Sequence, residues 1–150
     1  MKKFKLTTNK KEHFGRTLYQ IESLINFGSI HVGDLGGWVE KEENLYQECN
    51  AWVGGNARVY GDAEVGGDAW VGGNAEVCGN AEILWISKIG SRLGTTTAYR
   101  NKDGGITITC GCFLGTLEEF EKKVTETHGD NKFAWEYNAL VSLIKIHFEV

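Results

Sequence analysis

An uninterrupted repeat of six residues, from Asn50 to Trp85, limits what this chain can fold into more than any other feature. Its hexads read NAWVGG, NARVYG, DAEVGG, DAWVGG, NAEVCG and NAEILW. Alanine holds the second position of every hexad, and valine or isoleucine holds the fourth. Asparagine, aspartate and glycine near the hexad boundaries tolerate the positive φ of tight corners. The pattern therefore predicts short extended segments, joined by corners, that direct alanine and an aliphatic residue inward.

This spacing resembles the hexapeptide left-handed β-helix, in which three hexads form the three sides of one coil. An amphipathic helix would need apolar residues three and four apart, and a hairpin sheet would need strict alternation. We therefore predict a mainly β fold containing a short left-handed parallel β-helix of about three coils over residues 36–90. Ile89 would belong to a seventh hexad.

Residues eighteen apart should stack in such a coil, so Trp52 would lie on Trp70. Large exposed aromatic patches commonly mark subunit interfaces or ligand grooves. Packing between subunits is the favoured interpretation, with stacking on a ligand and coverage by the chain's own ends as alternatives. Arg58 beneath Trp38 would form a cation–π contact. The predicted interface or stacking residues are Trp38, Trp52, Arg58, Trp70 and Lys88.

The two ends of the chain should cover the open edges of the coil and complete one compact unit. Residues 1–35 are predicted to form an N-terminal β cap, with turns near Gly15 and Gly28. Residues 91–150 are predicted to form a β-hairpin and two helices, because NKDGG separates two β-rich runs.

The first of these helices is expected to begin at a capping box and the second at an acidic cap. Thr116 and Glu119 have the spacing of a capping box, and the helix should run to about His128. Asp130 is expected to cap the second helix, which should end near Phe148.

Composition limits the classes of partner that the chain is expected to bind. A formal net charge of −4 argues against a protein that coats DNA or RNA, although a small anion needs only a few local cations. The N-terminal MKKFKLTTNK has no apolar run after it, which predicts neither an export signal nor a membrane partner, and hence a cytoplasmic location. Free thiols are expected rather than disulfides or a zinc site at Cys49, Cys78, Cys110 and Cys112.

Enzymes built on this kind of coil use histidines, either for acyl transfer or as zinc ligands. All four histidines lie outside the repeats, at His13, His31, His128 and His147. We therefore predict no catalytic residue, metal or cofactor. An unusual acyltransferase-like enzyme is retained as the third functional hypothesis.

The segment IGSRLGTTTAYRNKDG, at the end of the repeats, carries the candidate ligand-binding residues. Hydroxyl and guanidinium groups suit phosphate or carboxylate recognition, and a tyrosine ring can stack on a base. The alternative is structural, since threonines favour strands and Arg92 can pair with a glutamate. The predicted ligand-binding residues are Ser91, Arg92, Thr95, Thr96, Thr97, Tyr99 and Arg100.

The run DLGGWVEKEENL, the hexads and the tail GSRLGTTTAYRNKDGGITITCGCFLGTLEEFEKKVTETHGD together resemble small hexapeptide-repeat proteins of phages and prophages of Gram-positive bacteria. The resemblance covers most of the chain. It implies a protein made in the cytoplasm of an infected cell, where small oligomeric phage proteins sequester the nucleotide signals of host immunity. We predict a non-enzymatic homo-oligomer, favouring a trimer through the coil faces, that binds a small anion such as a cyclic nucleotide or an ADP-ribose derivative. The second hypothesis is a structural or protein-binding module of a phage.

Overall fold

The computed structural model describes residues 1–150 and contains eleven β-strands and two α-helices. Single turns of 3-10 helix occupy Glu42–Asn44 and Asn80–Glu82. The strands are β1 Phe4–His13, β2 Arg16–Ser23, β3 Leu35–Val39, β4 Trp52–Val53, β5 Arg58–Val59, β6 Trp70–Val71, β7 Glu76–Val77, β8 Ile83–Ile89, β9 Gly94–Arg100, β10 Ile106–Cys110 and β11 Phe113–Thr116; the helices are α1 Leu117–His128 and α2 Lys132–His147.

The strands form three sheets. The first has the order β1-β2-β3-β5-β7, the second contains only β4 and β6, and the third has the order β11-β10-β9-β8. Parallel pairing of residues eighteen apart, predicted from the hexads, is confirmed for Trp52 with Trp70 and for Arg58 with Glu76.

The predicted left-handed parallel β-helix over residues 36–90 is nevertheless wrong. Each parallel ladder is only two residues long, and the first sheet continues into antiparallel β2 and β1. The last predicted hexads do not continue the parallel pairing, because β8 (Ile83–Ile89) pairs antiparallel with β9. The architecture is therefore mainly β, with mixed and antiparallel sheets followed by two helices.

The departure at β8 has a local physical cause. Gly55, Gly61, Gly67 and Gly73 adopt positive φ and turn the chain after successive hexads. After Ile83 no glycine follows for six residues, and the run ILWISKI is rich in β-branched and aromatic residues that favour an extended strand. The chain therefore stays extended where a further corner was expected.

The C-terminal elements follow their sequence signals closely. The NKDGG turn joins β9 and β10, and the Thr116–Glu119 capping box opens α1 as predicted. The predicted cap of α2 is wrong by one residue, because Asn131 accepts the hydrogen bonds that Asp130 was expected to accept. Asp130 instead accepts a hydrogen bond from the Trp135 indole. Neither helix has the length and apolarity required to cross a membrane.

Two hydrophobic cores stabilise the molecule. The first contains eighteen buried residues, among them the inward alanine and aliphatic side chains of the first five hexads. The second contains eleven and lies between the third sheet and the two helices. Tyr99 of β9 joins the first core, so the third sheet also closes one side of the repeat region.

Candidate functional site

The predicted ligand segment does not form one site. Ser91 and Arg92 are exposed in the turn between β8 and β9, and neither takes part in a side-chain hydrogen bond or ion pair. Thr95 is half-buried and shares a hydrogen bond with Ser87. The structural alternative for Arg92, pairing with a glutamate, is not observed either.

The remaining predicted ligand residues have structural partners. Thr96 and Tyr99 are buried, and the Tyr99 hydroxyl accepts a hydrogen bond from the Gly72 amide. Tyr99 therefore presents no free ring to a base. Arg100 donates to the carbonyls of Gly104 and Phe148, which makes it a link between the hairpin and the end of α2.

Thr97 and Thr109 hold the open edge of β6. The Trp70 amide donates to Oγ1 of Thr97 over 3.1 Å, and Oγ1 of Thr109 donates to the Trp70 carbonyl over 2.8 Å. A strand edge exposes unpaired amide and carbonyl groups, and these two hydroxyls satisfy them in place of another strand. The prediction that Lys88 would follow Trp52 and Trp70 on the same side of a coil is wrong, since Lys88 lies in β8, which pairs with β9.

The predicted pair of exposed tryptophans is half correct. Trp52 is only 1% exposed, because the Phe27 ring packs edge-on against it at 5.5 Å between centroids. Coverage by the chain's own N-terminal segment, one of the alternatives, therefore applies to Trp52. Trp70 remains 38% exposed.

A groove of about 410 Å³ lies beside Trp70. It brings together three predicted site residues, namely Trp70, Thr95 and Thr97. Asp68 is the only charged residue in its lining, so the groove offers an anion no cationic partner. We call it the Trp70 groove.

Cations and aromatic rings meet at a different place, where the end of the β1–β2 hairpin lies against β3, β5 and β7. We call this cluster the cationic–aromatic site. It consists of Lys11, His13, Arg16, Trp38, Glu40, Arg58, Tyr60 and Glu76. Trp38, Arg58 and Glu76 occupy successive paired positions on β3, β5 and β7, as the stacking of the hexads predicts.

Lys11 covers the indole of Trp38, with Nζ 4.2 Å from the ring centroid. The predicted cation–π partner, Arg58, makes an ion pair with Glu76 instead, at 3.4 Å. Burial, together with the nearby Arg58 guanidinium, lowers the pKa of Lys11 from its ordinary value of 10.5, and Glu76 offsets only part of this. Because Lys11 covers Trp38 and Arg58 occupies the position paired with Trp38 on the adjacent strand, two like charges lie beside the same aromatic residue.

Glu76 is the centre of the hydrogen-bond network. Oε1 accepts from the Tyr60 hydroxyl over 2.6 Å and contacts Nε2 of His13, while Oε2 faces Arg58. Burial alone would raise the pKa of Glu76, but the hydrogen bonds from Tyr60 and His13 and the adjacent charges outweigh it and leave that pKa lowered. Glu76 is thus an ionised anchor that orients the surrounding groups.

Arg16 and Glu40 complete the rim. Arg16 donates to Glu40 over 2.8 Å and lies 5.7 Å from the centroid of the Tyr60 ring. Glu40 also accepts from the Gly61 amide. Both Glu40 and Glu76 are already paired, whereas Nε of Arg58 is buried without a hydrogen-bond partner.

Six residues of this site were not predicted as site residues, namely Lys11, His13, Arg16, Glu40, Tyr60 and Glu76. One signal was available: Lys11 and His13 are two residues apart, so their side chains share a face wherever this segment is extended, as it is in β1. No local signal predicts that β1 lies over Glu76, because His13 and Glu76 are sixty-three residues apart in the sequence.

The arrangement suits binding of an anion that also carries an aromatic ring. Lys11, Arg16 and Arg58 supply three cations against the two carboxylates of Glu40 and Glu76, in a chain whose formal charge is −4. Cations attract phosphate or carboxylate, and the indole of Trp38 can stack on a planar group. No protein-family model matches the chain, and no curated protein matches it either.

Proposed function

We propose that this protein is a non-enzymatic binder that sequesters a small anion bearing an aromatic ring, with a nucleotide messenger as its ligand. The observation that carries the proposal is the proximity of Lys11 and Arg58 beside Trp38. An anion placed between these cations would relieve their repulsion, and the base of a nucleotide would stack on the indole. Cyclic nucleotides and ADP-ribose derivatives have both chemical parts.

The energetics favour exchanging the Lys11–Trp38 contact for a ligand. A cation–π contact at an accessible site contributes about 0.5–1 kcal/mol. A hydrogen bond to a charged group contributes about 1.5–3 kcal/mol. Movement of Lys11 from the ring to a phosphate would therefore be favourable, and it would free one face of Trp38 for the base.

The resemblance to phage and prophage proteins supports a biological setting for this chemistry. Capture of an immune nucleotide during infection, in the host cytoplasm, requires binding without turnover. A homo-oligomer remains part of this proposal, but the predicted trimer is not, because it depended on the faces of a β-helix that the chain does not form.

The experiment is capture and release. The purified protein is incubated with cyclic dinucleotides, a cyclic trinucleotide and ADP-ribose, recovered, and denatured by heat, and the released material is analysed by chromatography and mass spectrometry. We expect one of these compounds to return intact in stoichiometric amount. Return of a cleaved compound would indicate an enzyme, and no capture of any compound would contradict the proposal.

Site variants locate the binding. Arg58→Gln and Trp38→Leu should each weaken the affinity for the captured nucleotide by roughly tenfold or more, as expected for groups contacting phosphate and base. Arg92→Ala is the matched control, because it removes one arginine charge from an exposed turn. Equal affinities for Arg58→Gln, Trp38→Leu and wild type would place binding elsewhere.

The Trp70 groove favours a second candidate function, a protein-binding module. Leu114 is 61% exposed at the groove, and Trp70 and Phe113 also line it. Such a surface, lacking cations, suits an apolar side chain of another protein. Trp70→Gln separates the two candidates, since it should leave nucleotide capture unchanged while abolishing any complex formed through the groove.

A further inference from the structure

The outward face of α2 lacks the charges that normally cover a solvent-facing helix. Its inward residues, including Leu140 and Ile144, are buried in the second core. On the opposite side, Trp135 is 61% exposed and Ile146 is 75% exposed. Leu143 adds a third exposed apolar side chain. A helix that is apolar on both sides is typical of one that is covered on both sides.

We propose that this face binds a second copy of the same chain, with the two α2 helices antiparallel. The seam consists of Trp135, Ala139, Ser142 and Ile146, whose spacings of four, three and four residues are those of a two-helix seam. All four are exposed. The proposal concerns a surface separate from the cationic–aromatic site.

The spacing of the seam fits a two-fold axis. Trp135 and Ile146 lie equally far from the midpoint of the seam, between Leu140 and Val141, as do Ala139 and Ser142. Antiparallel pairing therefore places Trp135 of one copy near Ile146 of the other. Small side chains meet at the centre and allow the two backbones to approach closely.

Charge complementarity favours the same orientation. Lys132 begins α2, and Glu149 follows its end, so antiparallel pairing brings opposite charges together at each end of the seam. The helix dipoles are also opposed in this arrangement. A parallel pair would instead place the two lysines together and the two glutamates together.

The Trp135 side chain is already held in position. Its Nε1 donates to Asp130 over 2.8 Å. An aromatic anchor fixed before binding loses little conformational freedom on association, which favours its use as an anchor at each end of the seam.

The first measurement is the molar mass in solution by light scattering and sedimentation over a concentration series. We expect a dimer, twice the 16.7 kDa of one chain. Ile146→Glu should weaken dimerisation roughly tenfold or more and leave the monomer folded, because this side chain makes no core contact. Leu114→Glu is the control, since it also replaces an exposed aliphatic side chain with a carboxylate, but at the Trp70 groove rather than on α2. A monomer at high concentration, or an oligomer unaffected by Ile146→Glu, would overturn the proposal.

A cross-linking experiment tests the orientation. Ala139→Cys and Ser142→Cys single variants are mixed and oxidised, and the linked peptides are identified by mass spectrometry. Antiparallel pairing predicts links between position 139 and position 142, whereas parallel pairing predicts 139–139 and 142–142 links and would contradict the proposed geometry. Peptide mapping distinguishes both from links through the exposed Cys78 and Cys112.

Discussion

The hydroxyl of Tyr60 donates to the carboxylate of Glu76 over 2.6 Å, and this bond fixes the centre of the cationic–aromatic site. The same oxygen of Glu76 contacts His13, from the N-terminal hairpin. Burial and the hydrogen bond to Glu76 raise the pKa of Tyr60 above its ordinary value of 10.0. The ionised carboxylate of Glu76 thus links the hairpin to the repeat region.

This network predicts loss of stability in acid. The pKa of Glu76 is lowered on folding from its ordinary value of 4.5. The unfolded chain therefore takes up the proton first, and the stabilisation from Glu76 is lost as the pH falls from about 4.5 through the folded-state pKa. Urea unfolding between pH 7 and pH 3 should show this decline, and Glu76→Gln should reduce its slope.

The same variant should be less stable than wild type at pH 7, by about 1–3 kcal/mol, because hydrogen bonds to a charged acceptor are lost. Glu43→Gln, at an exposed position without a side-chain partner, serves as the control. An unchanged acid slope in Glu76→Gln would assign the acid sensitivity to other carboxylates.

The lowered pKa of Lys11 predicts a second pH dependence, in the affinity for the proposed nucleotide ligand. This pKa is lowered by burial and by Arg58, so the ammonium loses its proton below pH 10.5. Affinity for a captured nucleotide should therefore fall as the pH rises from neutrality towards 10, measured by calorimetry. Lys11→Arg should keep its charge and bind with a flatter pH profile. A profile identical in both proteins would exclude Lys11 from ligand binding.

The repeat pattern predicted local register better than it predicted architecture. Pairing eighteen residues apart follows from identical hexads, and it is observed for Trp52 with Trp70. The change at Ile83 depends on competition between another corner and a long strand paired with β9, so it involves residues outside the repeat. The hexads alone contain no information about that partner.

The candidate site was less predictable than the sheets. Trp38 and Arg58 were selected as stacking residues, and both belong to the cationic–aromatic site. Thr97 looked suited to a ligand because hydroxyl groups bind phosphates as well as backbone amides, and Tyr99 because its ring could stack on a base. Here they bind backbone amides of the repeat region. Only the tertiary arrangement distinguishes these two uses of a hydroxyl group.

Gly90 should tolerate no side chain. It has φ of +77°, its amide donates to Glu136, and an added Cβ would overlap the hydroxyl of Tyr137. Backbone strain of about 1–2 kcal/mol adds to overpacking of about 1–3 kcal/mol, so Gly90→Ala should cost roughly 2–5 kcal/mol in the free energy of unfolding.

Gly73→Ala is the matched comparison for Gly90→Ala. Gly73 also has positive φ, at +58°, but an added Cβ meets nothing within 4 Å. Only the strain of about 1–2 kcal/mol should remain. Urea denaturation of both variants measures the difference, and equal losses would show that contact with Tyr137 contributes nothing.

The two threonines at the edge of β6 should stabilise the fold through Trp70. Thr97→Val and Thr109→Val keep the side-chain shape and remove one hydrogen bond each, leaving a main-chain group of Trp70 unpaired. Each should lower the free energy of unfolding by about 1–3 kcal/mol, whereas Thr8→Val, at an exposed strand position, should change it little. Because both hydroxyls hold the same residue, the double variant should lose less than the sum of the single losses. Strict additivity in chemical denaturation would mean that the two hydrogen bonds act independently, and that Trp70 is held in place by the β4–β6 ladder alone.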